Sequence, residues 1–182
     1  GDRIVLASAS FDQNQTEEAV VASAGGRTVS LTRPLRYPHD GDATTLSGVA
    51  VDERTEVALL SRNITLQGDT GTSPGYGGHL IVLAGARARV EGVELFQMGQ
   101  RGRLARYPMH WHVAGDVSGQ YFRRNSVWRT FNRCVTMHGS DNAMVSDNVC
   151  YDHTGHGYFL EDGAESGNTI SRNLGVYSRV PQ

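Results

Sequence analysis

The chain has 182 residues, a net charge of -2, 38% apolar residues and 22 glycines against 5 prolines. That length holds one sizeable core or two small ones, no apolar run approaches the ~20 residues of a membrane span, and the near-neutral charge gives nucleic-acid binding no global support. Glycine without proline indicates many tight turns, as in all-β architecture, rather than disorder.

No signal peptide is visible before the strand-like Arg3-Ile-Val-Leu-Ala7; the start reads as a domain cut, so that absence says nothing about the parent protein. Gln13 to Ala24 offers at most one or two helical turns. Glu17–Ala22 and Arg27–Thr32, joined through Gly25-Gly26, read as a hairpin. Pro34, Pro38 and the Asp40-Gly-Asp42 turn close this module, which is assigned to residues 1–48. Asn14-Gln-Thr16 and Asn63-Ile-Thr65 fit the N-glycosylation acceptor pattern, which matters only in a eukaryotic secretory host.

From Val49 the pattern becomes a repeat. Phe122-Arg-Arg-Asn125-Ser-Val-Trp128, Val145-Ser-Asp-Asn148-Val-Cys-Tyr151 and Ile170-Ser-Arg-Asn173-Leu-Gly-Val-Tyr177 each run an apolar residue, two polar residues, asparagine, then a short apolar-aromatic run. Val90-Glu-Gly-Val-Glu-Leu-Phe96 is a weaker copy. The asparagines are 23 and 25 residues apart (125 to 148, 148 to 173). Such a period with short strands predicts a right-handed parallel β-helix of about five coils over residues 49–182. A β-sandwich with coincidentally spaced strands is the rival. In the helix, like residues stack about 4.8 Å apart, and a repeated corner asparagine can form an internal amide ladder. These asparagines are therefore structural.

The register extends to another strand of each coil. Met109-His-Trp-His112 aligns with Val135-Thr-Met-His138 and with Tyr158-Phe-Leu-Glu161. The 26-residue first step needs three extra loop residues, which the segment from Val113 to Tyr121 supplies. Alternation then sends Met109, Val135 and Tyr158 inward, with Trp111, Met137 and Leu160. The outer face carries His110, Thr136 and Phe159 in one row and His112, His138 and Glu161 in the next. His110 and His112 share a face about 6.6 Å apart, and His138 lies one coil away. Histidines with a carboxylate suit a divalent metal, zinc or copper more than calcium. Histidines hydrogen-bonded in a polar groove are the plain alternative. No organic cofactor is indicated.

Asp152, His153 and His156 occupy the next turn, among Gly155 and Gly157. A His–Asp pair there suits acid–base work, and Asp152 with Glu161 is a candidate carboxylate pair for glycoside cleavage. Cys134 and Cys150, 16 apart, are not stacked by the register, so free thiols are expected. Gln97 to Arg133 holds seven arginines and one acid, whereas Cys134 to Ser171 holds six acids and no arginine. A basic strip beside an acidic one can hold a polyanion next to a catalytic or metal site.

Three segments carry a family resemblance: Arg106-Tyr-Pro-Met-His-Trp-His-Val-Ala-Gly-Asp116, Val135-Thr-Met-His-Gly139, and Asp147 through Asp152-His-Thr-Gly-His156 to Glu161-Asp-Gly163. With Gly1–Ser8, Leu31–Tyr37 and Glu56–Thr65, the chain resembles the family of the cell-migration-inducing hyaluronan-binding protein and transmembrane protein 2, with fibrocystin-type relatives. The arginine-only basic set and compact loops look bacterial. The resemblance implies a secreted or cell-surface protein connected with hyaluronan binding or depolymerisation. It carries His110, His112, Asp116, His138, Asp152, His156, Glu161 and Asp162, while His153 lies outside its pattern.

The expected function is a glycan hydrolase or lyase acting on an acidic polysaccharide. Asp152, Glu161 and His156 would be catalytic, and His110, His112 and His138 would hold the metal. Arg101, Arg103, Arg106, Arg123 and Arg124 would meet substrate carboxylates. A non-catalytic glycan-binding or adhesive module, and a metalloenzyme of unrelated chemistry on the same scaffold, are the alternatives.

Overall fold

The computed structural model describes residues 1–69 and 74–181. The chain divides into two compact units, Gly1–Ser61 and a second that begins at Arg62. In the first unit, β1 (Arg3–Leu6), β2 (Glu17–Gly25), β3 (Thr28–Leu31), β4 (Thr44–Leu46), β5 (Val49–Val51) and β6 (Val57–Leu59) are all antiparallel. The expected hairpin is β2–β3, and β1 lies between β2 and β6 in the order β3-β2-β1-β6. Val5, Leu6, Ala58 and Leu60 are its buried apolar side chains. Between β1 and β2 stands one short 3-10 turn, Gln13–Gln15, capped by the Asp12 carboxylate on the Asn14 N–H. Beyond it the chain is extended, not helical.

The boundary expected after residue 48 falls inside this unit. β5 pairs with β4, and β6 pairs with β1. Short apolar runs look alike in antiparallel and parallel sheets, so composition does not mark the change; pairing does.

The second unit is a parallel β-solenoid of three walls. The first wall stacks β7 (Ile64–Gln67), β10 (Val93–Phe96), β13 (Ser126–Trp128), β16 (Val149–Thr154) and β19 (Leu174–Arg179). The second stacks β8 (Leu80–Val82), β11 (Met109–Asp116), β14 (Val135–Asp141) and β17 (Tyr158–Leu160). The third stacks β9 (Arg89–Glu91), β12 (Tyr121–Arg123), β15 (Met144–Ser146) and β18 (Thr169–Ser171). One strand per wall makes a coil, so there are about four turns, with β19 beginning another. Side chains alternate along each strand, and those turned inward fill the lumen: Leu95 and Val127, Trp111 and Met137, Phe122 and Val145.

The asparagine ladder forms. Asn148 Oδ1 accepts from the Asn125 N–H (3.0 Å) and Nδ2 (3.1 Å), and Asn148 Nδ2 donates to Phe122 O and to Asn173 Oδ1. Just before each asparagine, Arg124, Asp147 and Arg172 have φ of 55°, 58° and 51°. This left-handed corner costs an L-residue roughly 1–2 kcal/mol, and the buried ladder offsets it. Gln120 and Asn168 bond backbone groups at another corner, on Ala88 and Ala143.

The cysteines correct the expectation of free thiols: Cys134 and Cys150 form a disulfide with a Cα separation of 6.2 Å. The register does not stack them because they hold non-equivalent positions in successive coils: Cys150 pairs with Val127 on the first wall, whereas Cys134 stands at the entry to the second. Cys134 leads into β14 and Cys150 lies in β16, and both side chains are buried in the same lumen.

Candidate functional site

The register through the second wall is the one expected: Met109, Val135 and Tyr158 pair in sequence, then His110, Thr136 and Phe159, then Trp111, Met137 and Leu160. His112 stands beside His138. Glu161 continues the third member of that file, its N–H donating to Met137 O at 2.9 Å. A bulge between His112 and Gly115 takes up one of the extra residues of the longer coil. Met109, Trp111, Val135 and Met137 are fully buried in the lumen, as their row requires, whereas Leu160, on the edge strand β17, is exposed.

The outer face is less open than alternation alone suggests. His110 and Thr136 have no solvent exposure. The segment from Gly99 to Pro108 accounts for part of the cover: Ala105 O lies 3.2 Å from His110 Nδ1, and the Tyr107 and His110 rings are 4.9 Å apart. Burial, partly opposed by the bond to Ala105, drives the His110 pKa down to about 4.

The three imidazoles and Glu161 converge. His112 Nδ1 and His138 Nδ1 are 3.0 Å apart, and one ring nitrogen from each of the three histidines falls within 4.8 Å of the others. Glu161 Oε2 is 3.8 Å from both His110 Nε2 and His138 Nδ1. Glu161 Oε1 accepts from Tyr107 Oη and Arg133 Nη1, each at 3.1 Å, and Arg133 also donates to Tyr107 Oη. One oxygen of Glu161 is thus held while the other faces the imidazoles.

Hydrogen bonding assigns the tautomers. His110 Nδ1–H donates to Ala105 O, leaving a lone pair on Nε2, and that buried nitrogen has no hydrogen-bond partner. His138 Nε2 is 3.2 Å from Asp162 Oδ2, which leaves its Nδ1 as an acceptor. A polar partner on the far nitrogen is how metal-ligating histidines are oriented. The residues present therefore fit a divalent cation with three nitrogen ligands and one oxygen ligand.

A model of the CEMIP β-helix family matches residues 75–182. The chain belongs to that family. It is 36% identical over 181 residues to a G8 domain-containing protein of Dictyostelium discoideum, covering 97% of this chain and 15% of that protein. A second such protein is 39% identical over 169 residues, covering 90% and 11%. Fibrocystin-L of Mus musculus is 35% identical over 222 residues, covering 97% and 5%. The chain thus spans less than a fifth of the length of each.

In this CEMIP β-helix the remaining candidates are dispersed. Asp152 lies on the first wall, paired with Arg179 Nε at 2.6 Å and Arg129 Nε at 3.9 Å. It is not part of the histidine cluster. His156 stacks on Phe159 at 4.4 Å, and Phe159 also lies under the Arg133 guanidinium. This puts His156 on a cleft of about 290 Å³ lined also by Arg101, Arg103, Tyr107, Phe131 and Arg133, which shares Tyr107 and Arg133 with the cluster. Arg106 is exposed on the same loop. Arg123 and Arg124 are on the third wall and its corner, both paired with Glu91 at 2.9 and 2.8 Å. They do not join the other arginines, because residues close in sequence pass to different walls within one coil. Asp116 stacks on Asp141 and accepts from Ser118 and Asn142.

Three residues of the cluster escaped the sequence reading. Tyr107 and Arg133 approach from the coil corners, where no strand register predicts facing. Glu165 accepts from Gly139 N (3.0 Å) and Asp162 N (3.1 Å), tying the loop after Glu161 to the residue after His138. Burial alone would raise its pKa; the backbone N–H groups outweigh that and hold it below the ordinary value.

Proposed function

We propose that this chain is the polysaccharide-active part of a secreted or cell-surface protein. Its substrate is an acidic glycan, and His110, His112, His138 and Glu161 hold a divalent cation, zinc or copper before calcium. The observation that carries this reading is the buried, unpartnered His110 Nε2 facing the Glu161 carboxylate and two more imidazoles. Buried polar atoms are normally satisfied, and a cation satisfies this one. When bound, such a cation supplies Lewis acidity toward a substrate oxygen.

The chain's own residues do the rest. Tyr107 and Arg133 fix Glu161, which acts as ligand and anchor, since one of its oxygens is already saturated. Arg101, Arg103 and Arg133 give the adjoining cleft a positive lining suited to carboxylates. His156, exposed at that cleft, is the side chain placed to move a proton. The disulfide agrees with an oxidising compartment, and the family resemblance supports the glycan.

Elemental analysis of protein purified without a histidine tag, with viscometry of acidic polysaccharides, tests the reading. About one zinc or copper per chain is expected. His112→Ala with His138→Ala should remove it with the circular dichroism unchanged, and chelation should abolish depolymerisation. Full occupancy in the double variant would refute the metal site. Saturable glycan binding without depolymerisation would instead make the chain a binding module.

A further inference from the structure

We infer that Cys134, Cys150 and His153 form a second metal site, inside the solenoid and present only in the reduced protein, for a soft divalent cation of the zinc class. It is separate from the outer cluster and does not depend on the glycan reading. Cys134 and Cys150 have no solvent exposure and His153 only 3%. The two sulfurs and a His153 ring nitrogen lie within 4.8 Å of one another. His153 Nδ1 is a buried nitrogen without a well-formed hydrogen bond, a state that native interiors rarely leave unexplained, although the Gly155 backbone gives the ring some hydrogen-bonding support. The corner is closed by Gly157, where a Cβ would stand 3.5 Å from His153 Nε2 and 3.6 Å from Cys150 Sγ.

The charge arithmetic selects the ligand. In the oxidised chain each sulfur is bonded to the other, and neither is a thiolate. An external dithiol delivers two electrons and two protons: the S–S bond breaks, two thiols form, and the dithiol leaves as its own disulfide. A divalent cation then displaces both thiol protons to solvent. Two thiolates, one neutral imidazole and a doubly charged cation sum to zero, so the assembly escapes the penalty on burying net charge. Thiolate donors favour zinc over calcium or magnesium. The Val127 carbonyl, 3.9 Å from Cys134 Sγ, is the nearby oxygen.

Cobalt(II) as a stand-in for zinc reads the site directly, because thiolate-to-cobalt charge-transfer absorption cannot come from the outer histidines. The whole chain is reduced with a dithiol, exchanged without air into reductant-free buffer, and titrated. One equivalent of cobalt should generate the band with the β-sheet circular dichroism retained, zinc should displace it, and the oxidised chain should give none. His153→Ala should weaken cobalt binding at least about tenfold, the scale of losing a supporting partner, with both thiols still titratable. No band in folded, reduced protein would overturn the proposal. So would a band that grows only as the circular dichroism is lost, or a His153→Ala affinity equal to that of the unaltered chain. The comparison of reduced with oxidised protein needs no variant, so a misfolding variant cannot obscure it.

Discussion

At the scale of the residue, the cluster depends on which nitrogen of each histidine is engaged elsewhere. Ala105 O and the Asp162 carboxylate each hold one ring nitrogen, turning the other toward the centre. Asp162 is in turn held by Glu165, which bridges its N–H to that of Gly139. Glu165→Ala removes that bridge and touches no candidate ligand. We expect metal affinity to fall about 10- to 100-fold, the effect of losing an outer partner of a ligand, while the urea midpoint moves little. Isothermal titration beside a urea melt measures both, and unchanged affinity would mean that Glu165 only tethers a loop. Sequence alone reached His110, His112, His138 and Glu161, because a two-residue alternation and one coil period suffice to place them. It missed Tyr107, Arg133 and Glu165, whose positions depend on how corners and loops fold back over the wall. It also set Asp152 in the turn before β17 and offered it as a carboxylate partner for Glu161, whereas Asp152 lies within β16 on the first wall.

At the scale of the element, the asparagine ladder gives the strongest agreement between sequence and structure. An asparagine side chain offers two donors and an acceptor with two lone pairs, so a stack of them can satisfy a bend without water. Asn148 occupies the middle and uses every one of these. Asn148→Ala would strand the Asn125 N–H, one of the two hydrogens on Asn125 Nδ2 (the other stays on Val90 O) and Phe122 O inside the protein. At roughly 1–3 kcal/mol for each unmet buried group, we expect a loss of about 3–5 kcal/mol with some relaxation, read from urea unfolding followed by circular dichroism. Asn173→Ala, one step along in a less buried position, should lose less. Equal small losses at both positions would show that the coil bend does not need the ladder. The disulfide shows where repeat reasoning ends. A period relates a residue to its equivalents in other coils, but Cys134 and Cys150 are not equivalents: Cys150 stacks on Val127, and Cys134 meets it from the entry to the next wall.

At the scale of the molecule, the solenoid was legible because its period is written many times, whereas the first unit has no repeat and its boundary was drawn too early. Burial in the solenoid also couples the whole fold to pH. His110 and His153 are held neutral down to about 4, chiefly by burial, against an ordinary value of 6.5. Between these values the unfolded chain binds protons that the folded chain refuses, so stability rises with pH across the window. Both contributions are complete above pH 6.5 and are lost as pH falls toward 4. Glu17, Asp116, Asp147 and Glu165 have lowered carboxyl pKa values and act in the same sense, but only below the ordinary carboxylate range. A chelator-treated sample should therefore lose roughly 2–5 kcal/mol between pH 7 and pH 4.5, since each proton refused by the folded chain costs about 1.4 kcal/mol for every pH unit crossed and neither imidazole titrates over the whole range. Thermal melts across that range measure it, and His153→Phe should flatten the slope. Saturating zinc should steepen it, because protons compete with the cation for the same imidazole nitrogens. A melting temperature that stays level from pH 7 to 4.5 would mean that the two histidines reach solvent far more readily than their burial implies, and the closed outer face of the second wall would have to be redrawn.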